Sequence, residues 1–314
     1  MTIRTMTMIA AVGVAACACA EFAGRDPRYP GFAEENFKMP MRVMVIGAHP
    51  DDADFECGAT AIKLARAGAR VQFVSVCNGN KGHQTMSSPD LAARRAKEAQ
   101  AAAKIYGVEK YTIIGEPDCE VEPTLALRAK ITKLIREFAP HAVFTHRPTD
   151  YHADHRATGT AVLDAIYMLG VPLYCPDAPV PEMLPFVMYT GDGFTLPRPF
   201  RADMIVAVDD VRDQLVEGFA CHVSQVFEWL PPEHGFDPKK LGSDHASRIA
   251  YVKAHHMGRT RSNGRIHRAA IEKAFGANAP EFVDVYELSE YGRKPCKKEL
   301  AFLKSLGFKW MAAE

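Results

Sequence analysis

Arg42-Val43-Met44-Val45-Ile46-Gly47-Ala48-His49-Pro50-Asp51-Asp52 is the stretch on which the fold turns. From Val43 to Gly47 it is apolar or glycine with no polar alternation, the pattern of a strand buried on both faces of a parallel sheet. Pro50 cannot continue a hydrogen-bonded ladder, so the strand ends where one imidazole and two carboxylates crowd onto a single turn. In open α/β sheets ligands bind at the carboxyl edge of the strands. An imidazole and carboxylates on one turn are typical ligands of a catalytic zinc, and a carboxylate not spent on metal can act as a general base. The simpler alternative is a polar loop in which Asp52 caps the next helix, and the rest of the chain decides between them.

Downstream, Ala61, Leu64, Ala65 and Gly68 suit a helix packed on a sheet and ending near Gly68. Val71–Val76 is a second apolar strand. It runs into Asn78-Gly79-Asn80-Lys81-Gly82-His83, a loop whose glycines allow close approach to a ligand. A helix over Leu91–Tyr106, a strand over Lys110–Ile114 ending in Gly115-Glu116-Pro117-Asp118, a helix over Thr124–Phe138 and a strand over His141–Thr145 follow. The order βαβαβαβ predicts a Rossmann-like three-layer α/β sandwich with a mainly parallel sheet. The fourth strand runs into His146-Arg147-Pro148-Thr149-Asp150-Tyr151-His152-Ala153-Asp154-His155-Arg156, which brings histidines to the same edge. His152 and His155, three apart, present both rings to one site if a helix begins there, and Asp154 is placed to orient one of them. Two such clusters at one sheet edge form a metal site with three protein ligands and an open position, for which His49, Asp52 and His155 make a set.

A-H-P-D-D after the first strand, paired with H-x-D-H after the fourth, resembles the LmbE-like or PIG-L family of zinc-dependent deacetylases, over Met41 to Gly159. Members of that family mostly remove the acetyl group from N-acetylglucosamine units. The resemblance implies that His49, Asp52 and His155 ligate Zn2+, that Asp51 is the general base, and that His152, oriented by Asp154, is the second catalytic group. Fe2+ or Co2+ also suits such a histidine-carboxylate set. Arg95 with Glu98 resembles the family's R-x-x-E, Asp118 its acidic residue after the third strand, and His222-Val223-Ser224-Gln225 its H-x-S-Q segment. Arg95, Asp118, Asn78 and His222 are thus the expected substrate contacts. A solvated helix-face pair for Arg95 and Glu98, and a satisfied histidine on the apolar face Leu215, Phe219, His222, Val226, stand as alternatives. Ala53 replaces the glutamate usual after the two aspartates, with Asp54 and Glu56 nearby, and Asn80 stands where many members have aspartate.

The chain has 314 residues, and its Lys plus Arg equals its Asp plus Glu at 38 each, so nothing electrostatic argues for nucleic acid or an anionic membrane. Neutral or zwitterionic substrates with an N-acetyl group are the expected partners. No apolar run reaches the length of a transmembrane span. Arg4, the apolar run Met6–Ala16 and Ala18-Cys19-Ala20 read as a signal peptide over residues 1–21, and Val14-Ala15-Ala16-Cys17 resembles a lipoprotein cleavage box; either implies export. Residues 22–40 read as a linker, and 41–314 as one deacetylase domain in which the part beyond about residue 170 shapes the pocket. In that part strands are expected at Phe186–Tyr189, Met204–Val208 and Phe282–Leu288. Helices are expected from Asp209 or Asp210 to about Phe227 and over Asp244–Met257, Ile266–Phe275 and Lys297–Leu306. His245, His255, His256 and His267 are expected on solvated faces, and the six body cysteines, lacking any C-x-x-C pair, as scattered buried thiols. The reading is a zinc deacetylase of N-acetyl amino sugars. Its rivals are an amidase of larger conjugates, a sugar-binding module, and a dinucleotide oxidoreductase, the last disfavoured because A-H-P-D-D occupies the turn where G-x-G-x-x-G belongs.

Overall fold

The computed structural model describes residues 37–312. The leader and most of the linker lie outside the described residues. Strand β1 (Arg42–Gly47) is buried from Val43 onward, as its apolar run requires, because it lies between β2 (Arg70–Cys77) and β4 (Ala142–Thr145), parallel to both. Outward from these, β3 (Lys110–Glu116) pairs parallel with β2, and β5 (Phe186–Thr190) parallel with β4. Beyond β5 the sheet becomes antiparallel through β6 (Met204–Ala207), β7 (Val283–Gly292) and β8 (Lys309–Trp310), giving the order β3-β2-β1-β4-β5-β7-β6-β8. The chain steps one way from β1 to β3 and then returns to the other side of β1. The loops after β1 and β4 therefore part in opposite directions and open a crevice at the carboxyl edge, the position where α/β folds bind ligands.

Alternate residues of each strand enter two separate cores, which makes the three layers. One core takes Val43, Val45 and Phe73 with Ile62 and Leu64 of α1 (Asp52–Arg66), Tyr106 of α2 (Ser88–Tyr106), Leu215 of α5 (Arg212–Phe219) and Val252 of α7 (His245–His255). The other takes Met44, Ile46 and Val74 with Leu127 and Ile131 of α3 (Leu125–Phe138), Val162 of α4 (Ala153–Met168) and Ile271 of α9 (Arg268–Phe275). Short helices α6 (Leu230–Glu233), α8 (Gly258–Ile266) and α10 (Lys297–Ser305) complete the C-terminal part, whose strands extend the same sheet. The proline-rich connection after α4 is pinned by Arg136, which is 1% exposed and donates to the carbonyls of Met168, Leu169, Val171, Tyr174, Cys175 and Ala178. A buried guanidinium is tolerated because its donors are met.

Three expectations need correction. The helix expected to reach Phe227 stops at Phe219, and Ser224–Trp229 forms a π-helical segment. Glu98 accepts from the Ser224 amide and hydroxyl, at 2.9 and 2.6 Å, while Arg94 pairs with Glu228 at 2.7 Å, so side chains of α2 hold that turn in place. His256, expected on a solvated face, is buried at 9% exposure. Cys119 is exposed, whereas Cys57 and Cys77 are buried; among the described residues all six cysteines are free.

Candidate metal centre and active site

Each motif is placed by the end of its strand. At the end of β1, Asp51 immediately precedes α1 without capping it through its side chain, and the His49 amide donates to Asp52 Oδ2 at 2.7 Å. This turn needs Gly47, because a Cβ there would stand 2.7 Å from the Cβ of Asp52. At the end of β4, His152 caps α4, its Nδ1 accepting the Asp154 amide at 3.1 Å, and the first turn of that helix carries His155 inward. A Cβ on Gly159, one turn later, would meet the His146 carbonyl at 2.5 Å, so glycine is what lets α4 press against the loop it serves.

His49 Nδ1, Asp52 Oδ2 and His155 Nε2 converge. Their separations are 3.2 Å for His49 to Asp52, 3.3 Å for His49 to His155 and 3.4 Å for His155 to Asp52. Donor atoms on a tetrahedral ion with bonds of about 2.0–2.1 Å stand about 3.3–3.4 Å apart, so this triangle has the dimensions of three ligands to one metal. Asp52 is drawn well below the usual carboxylate range: burial alone would raise it, but the charges of His155 and His49 outweigh that. Burial would likewise lower His155, yet the Asp52 charge and the bond to Asp150 lift it to about 10. His49 is lifted in the same way by Asp52, Asp118 and Asp154. A site that holds cationic hydrogens this firmly also favours a divalent cation among the same atoms.

The remaining atoms of the two histidines decide which nitrogens face that centre. His49 Nε2 lies 3.3 Å from both Asp118 Oδ1 and Asp154 Oδ2, leaving Nδ1 for metal. His155 Nδ1 lies 3.0 Å from Asp150 Oδ1, leaving Nε2. Carboxylates behind histidine ligands fix the tautomer and raise basicity. Asp154 therefore meets His152 through its backbone amide, and its carboxylate serves His49 instead. Its carboxylate is turned toward His49 by the amides of Cys119 and Val121, at 2.7 and 3.3 Å. Asp118, expected at the substrate, is 4% exposed and serves the same nitrogen. Asp150 and His146, both in the quoted segment, have roles that spacing did not disclose; His146 Nε2 lies 3.3 Å from Asp52 Oδ2.

Asp51 pairs with Arg95, Oδ1 to Nη2 at 3.0 Å. Arg95 is 3% exposed, also reaches the Gly79 carbonyl at 3.3 Å and lies 3.7 Å from Asp118, so it positions carboxylates instead of standing in the open site. His222 is buried against Asp54 at 3.0 Å, and Asp54 also accepts from the Tyr111 hydroxyl, so this histidine braces the first turn of α1 from behind and is not a substrate contact. Asn78 is half-buried, and its Oδ1 accepts the Asn80 amide at 3.2 Å, shaping the loop. Asn80 in turn accepts from the Asp118 amide at 3.0 Å. His152 is half-buried beside His49, ring centroids 4.6 Å apart, and exposed Tyr151 stands edge-on to it. Burial, then the neighbouring His49 and His155, push His152 below the usual histidine value. Its Nδ1 accepts the Asp154 amide, so the ring hydrogen of the neutral form sits on Nε2.

Residues 44–166, which contain the donor triangle and the carboxylates behind it, match the family described as PIG-L: GlcNAc-PI de-N-acetylase. They are a PIG-L family domain. A diacetylchitobiose deacetylase from Thermococcus kodakarensis is 27% identical over 196 residues, covering 61% of this chain and 72% of that protein. A 1D-myo-inositol 2-acetamido-2-deoxy-alpha-D-glucopyranoside deacetylase 2 from Saccharopolyspora erythraea is 27% identical over 204 residues, covering 56% and 70%. Among solved structures, N,N'-diacetylchitobiose deacetylase from Pyrococcus horikoshii has a TM-score of 0.60 at 20% identity, over 82% of this chain and 86% of that one. The 4-carboxy-2-hydroxymuconate hydratase GalB from Pseudomonas putida KT2440 has a TM-score of 0.62 at 17% identity, over 81% and 98%. These last two likenesses establish the fold, which serves more than one reaction. The family domain and its deacetylase relatives place the chain among hydrolases of amide C–N bonds.

Proposed function

We propose that the chain removes the acetyl group from an N-acetyl amino sugar of the N-acetylglucosamine type, with a zinc ion held by His49, Asp52 and His155. The observation that carries this reading is the triangle of donor atoms 3.2–3.4 Å apart with a carboxylate outside it, Asp51, on the adjoining residue and paired with Arg95. The chemistry supplied by such an ion is activation of water near neutral pH and polarisation of the amide oxygen. Asp51 takes the proton of the attacking water and returns it to the leaving amine, its orientation held by Arg95. His152 donates its Nε2 hydrogen to the amide oxygen as negative charge develops there. Because that donor is the neutral ring, no imidazolium is required. Asp118, Asp154 and Asp150 keep the ligand histidines turned correctly, and Arg95 holds Asp51, so all four act on the reaction through other side chains. Met1–Glu21 would deliver this domain to an exported location, a reading tested by whether fusion to a reporter yields a processed, exported product.

The test is acetate release by the purified chain from N-acetylglucosamine, diacetylchitobiose and N-acetylglucosaminyl conjugates, before and after metal stripping and zinc restoration. Acetate released from a sugar, lost on stripping and restored by zinc, supports the reading. Release of larger acyl groups with no acetate would move it to the conjugate amidase. A stoichiometric metal with no amide cleaved on any compound would refute it in favour of a binding module.

A further inference from the structure

His146 is the first residue after β4, and its side chain has no exposed surface. Its ring lies flat on that of His155, centroids 4.0 Å apart and planes 11° from parallel. Nε2 accepts the Ala48 amide at 3.0 Å, so the ring hydrogen is on Nδ1, which faces Glu56 Oε1 at 3.3 Å. The same Nε2 abuts Asp52 Oδ2 at 3.3 Å. One ring thus touches the turn that carries His49, the carboxylate of Asp52 and the face of His155.

Glu56 is 5% exposed, and a buried carboxylate is costly unless partnered. Its partners come from separate elements. Oε2 accepts the Thr190 hydroxyl of β5 at 2.6 Å, and Oε1 is 3.0 Å from Arg259 Nη2 of α8, which also donates to the Gly191 carbonyl at 2.5 Å. The end of β4, the first turns of α1, the end of β5 and a helix of the C-terminal part are therefore tied together beneath two ligands. None of these groups lies on the proton path through Asp51 and His152, so their effect on the reaction passes through the ligands.

We infer that His146, backed by Glu56, is a positioning residue of the metal centre, holding the ring of His155 by its stack and the turn that carries His49 and Asp52 through the Ala48 amide. The inference rests on the metal reading above, and its test separates the two. Metal affinity is measured by chelator competition on the full chain, with the visible spectrum of the Co2+-loaded protein and the melting of the metal-stripped protein as further readouts. His146→Phe keeps the stack on His155 and deletes both nitrogens; it should weaken metal binding roughly ten- to a hundredfold and shift the Co2+ bands. His146→Gln, whose oxygen can again accept the Ala48 amide, should recover part of the loss. Glu56→Gln should give a smaller loss, because it still accepts from Thr190. A merely structural role would lower the melting of the stripped protein and leave affinity and spectrum unmoved, which overturns the inference. If His146→Phe does not fold, unchanged affinity and bands in Glu56→Gln and His146→Gln overturn it equally. A wild-type protein that binds no metal refutes the metal reading and this inference with it; a wild-type protein that binds one equivalent, with variants that match it, refutes this inference alone.

Discussion

Replacing Asp51 with asparagine separates turnover from metal binding, because Asp51 adjoins the donor triangle without belonging to it. In the proposed reaction the carboxylate takes and returns a proton, and general-base action of this kind contributes about 10²- to 10⁴-fold, roughly 3–5.5 kcal/mol of barrier. The variant also changes a buried ion pair, Asp51 Oδ1 to Arg95 Nη2 at 3.0 Å, with Arg95 3% exposed. Deleting one member of such a pair costs about 3–5 kcal/mol when the other charge is abandoned. Here it is not abandoned. Asparagine keeps an oxygen in place, the Gly79 carbonyl accepts from Arg95 at 3.3 Å and Asp118 lies 3.7 Å away. A cost of about 1–2 kcal/mol is expected, a fall in melting temperature of roughly 2–8 °C. The assay is acetate release at saturating substrate, with metal content of the same preparation by atomic emission. The reasoning predicts full metal and at least a hundredfold loss of kcat. A variant retaining more than about a tenth of the activity with full metal would show that the base lies elsewhere. A variant isolated without metal would show that Asp51 is a ligand.

Asp150→Asn replaces the acceptor that holds His155 Nδ1 at 3.0 Å; metal affinity by chelator competition should fall roughly tenfold or more with little change in melting. Gly159→Ala puts a Cβ 2.5 Å from the His146 carbonyl, so the β4 loop and α4 must separate; a loss of about 1–3 kcal/mol in urea unfolding, with weakened metal binding, is the expected outcome. Arg136→Met strands six carbonyls around the connection after α4 and should cost about 3–5 kcal/mol, read as a shift in the unfolding midpoint at unchanged metal content. Burial, then the neighbouring Arg42, push His141 down to about 3, and burial, then His234, pushes His256 down to about 4. Both are held neutral in the folded chain, so the stability they contribute is complete above about pH 6.5 and lost as pH falls toward 4. His256→Phe should flatten that decline, and an unaltered acid limb in thermal melts would count against this assignment.

Strands β1, β2 and β4 were readable because they are buried on both faces and so become mostly apolar runs bounded by turn residues, whereas the edge strand β3, only partly buried, was marked by the glycine before it and the Gly115-Glu116-Pro117-Asp118 segment that ends it. The resulting alternation with helices leaves few topologies, and the switch between β1 and β4 follows from parallel crossovers of one hand. The C-terminal part lacks that redundancy. Beyond β5 its strands join the sheet antiparallel, and its helices are decided by distant side chains. Nothing within residues 209–227 announces that the helix must open into a π turn at Ser224; the reason is Glu98 and Arg94, more than a hundred residues earlier. In the same way, nothing near His256 in the chain states that Phe55 will stack over it.

The site was legible in kind but not in its pairings. A motif names residue types, and their spacing puts them on one edge, yet the role of each polar side chain depends on which partner reaches it first. Asp154 is two residues from His152 and one from His155, but two amides of the β3–α3 connection turn its carboxylate toward His49, whose position is set from β1. His155 is held instead by Asp150, five residues earlier, through the opposite ring nitrogen. The two histidines proposed as ligands thus direct different nitrogens to one point, Nδ1 from His49 and Nε2 from His155, because their supports stand on opposite sides. That arrangement brings the ends of two strands, fixed independently by separate carboxylates, to within 3.3 Å of each other before any substrate arrives. A centre assembled this way pays for ligand alignment during folding and not during binding, which is the condition for charge stabilisation that needs no reorganisation at the moment of reaction.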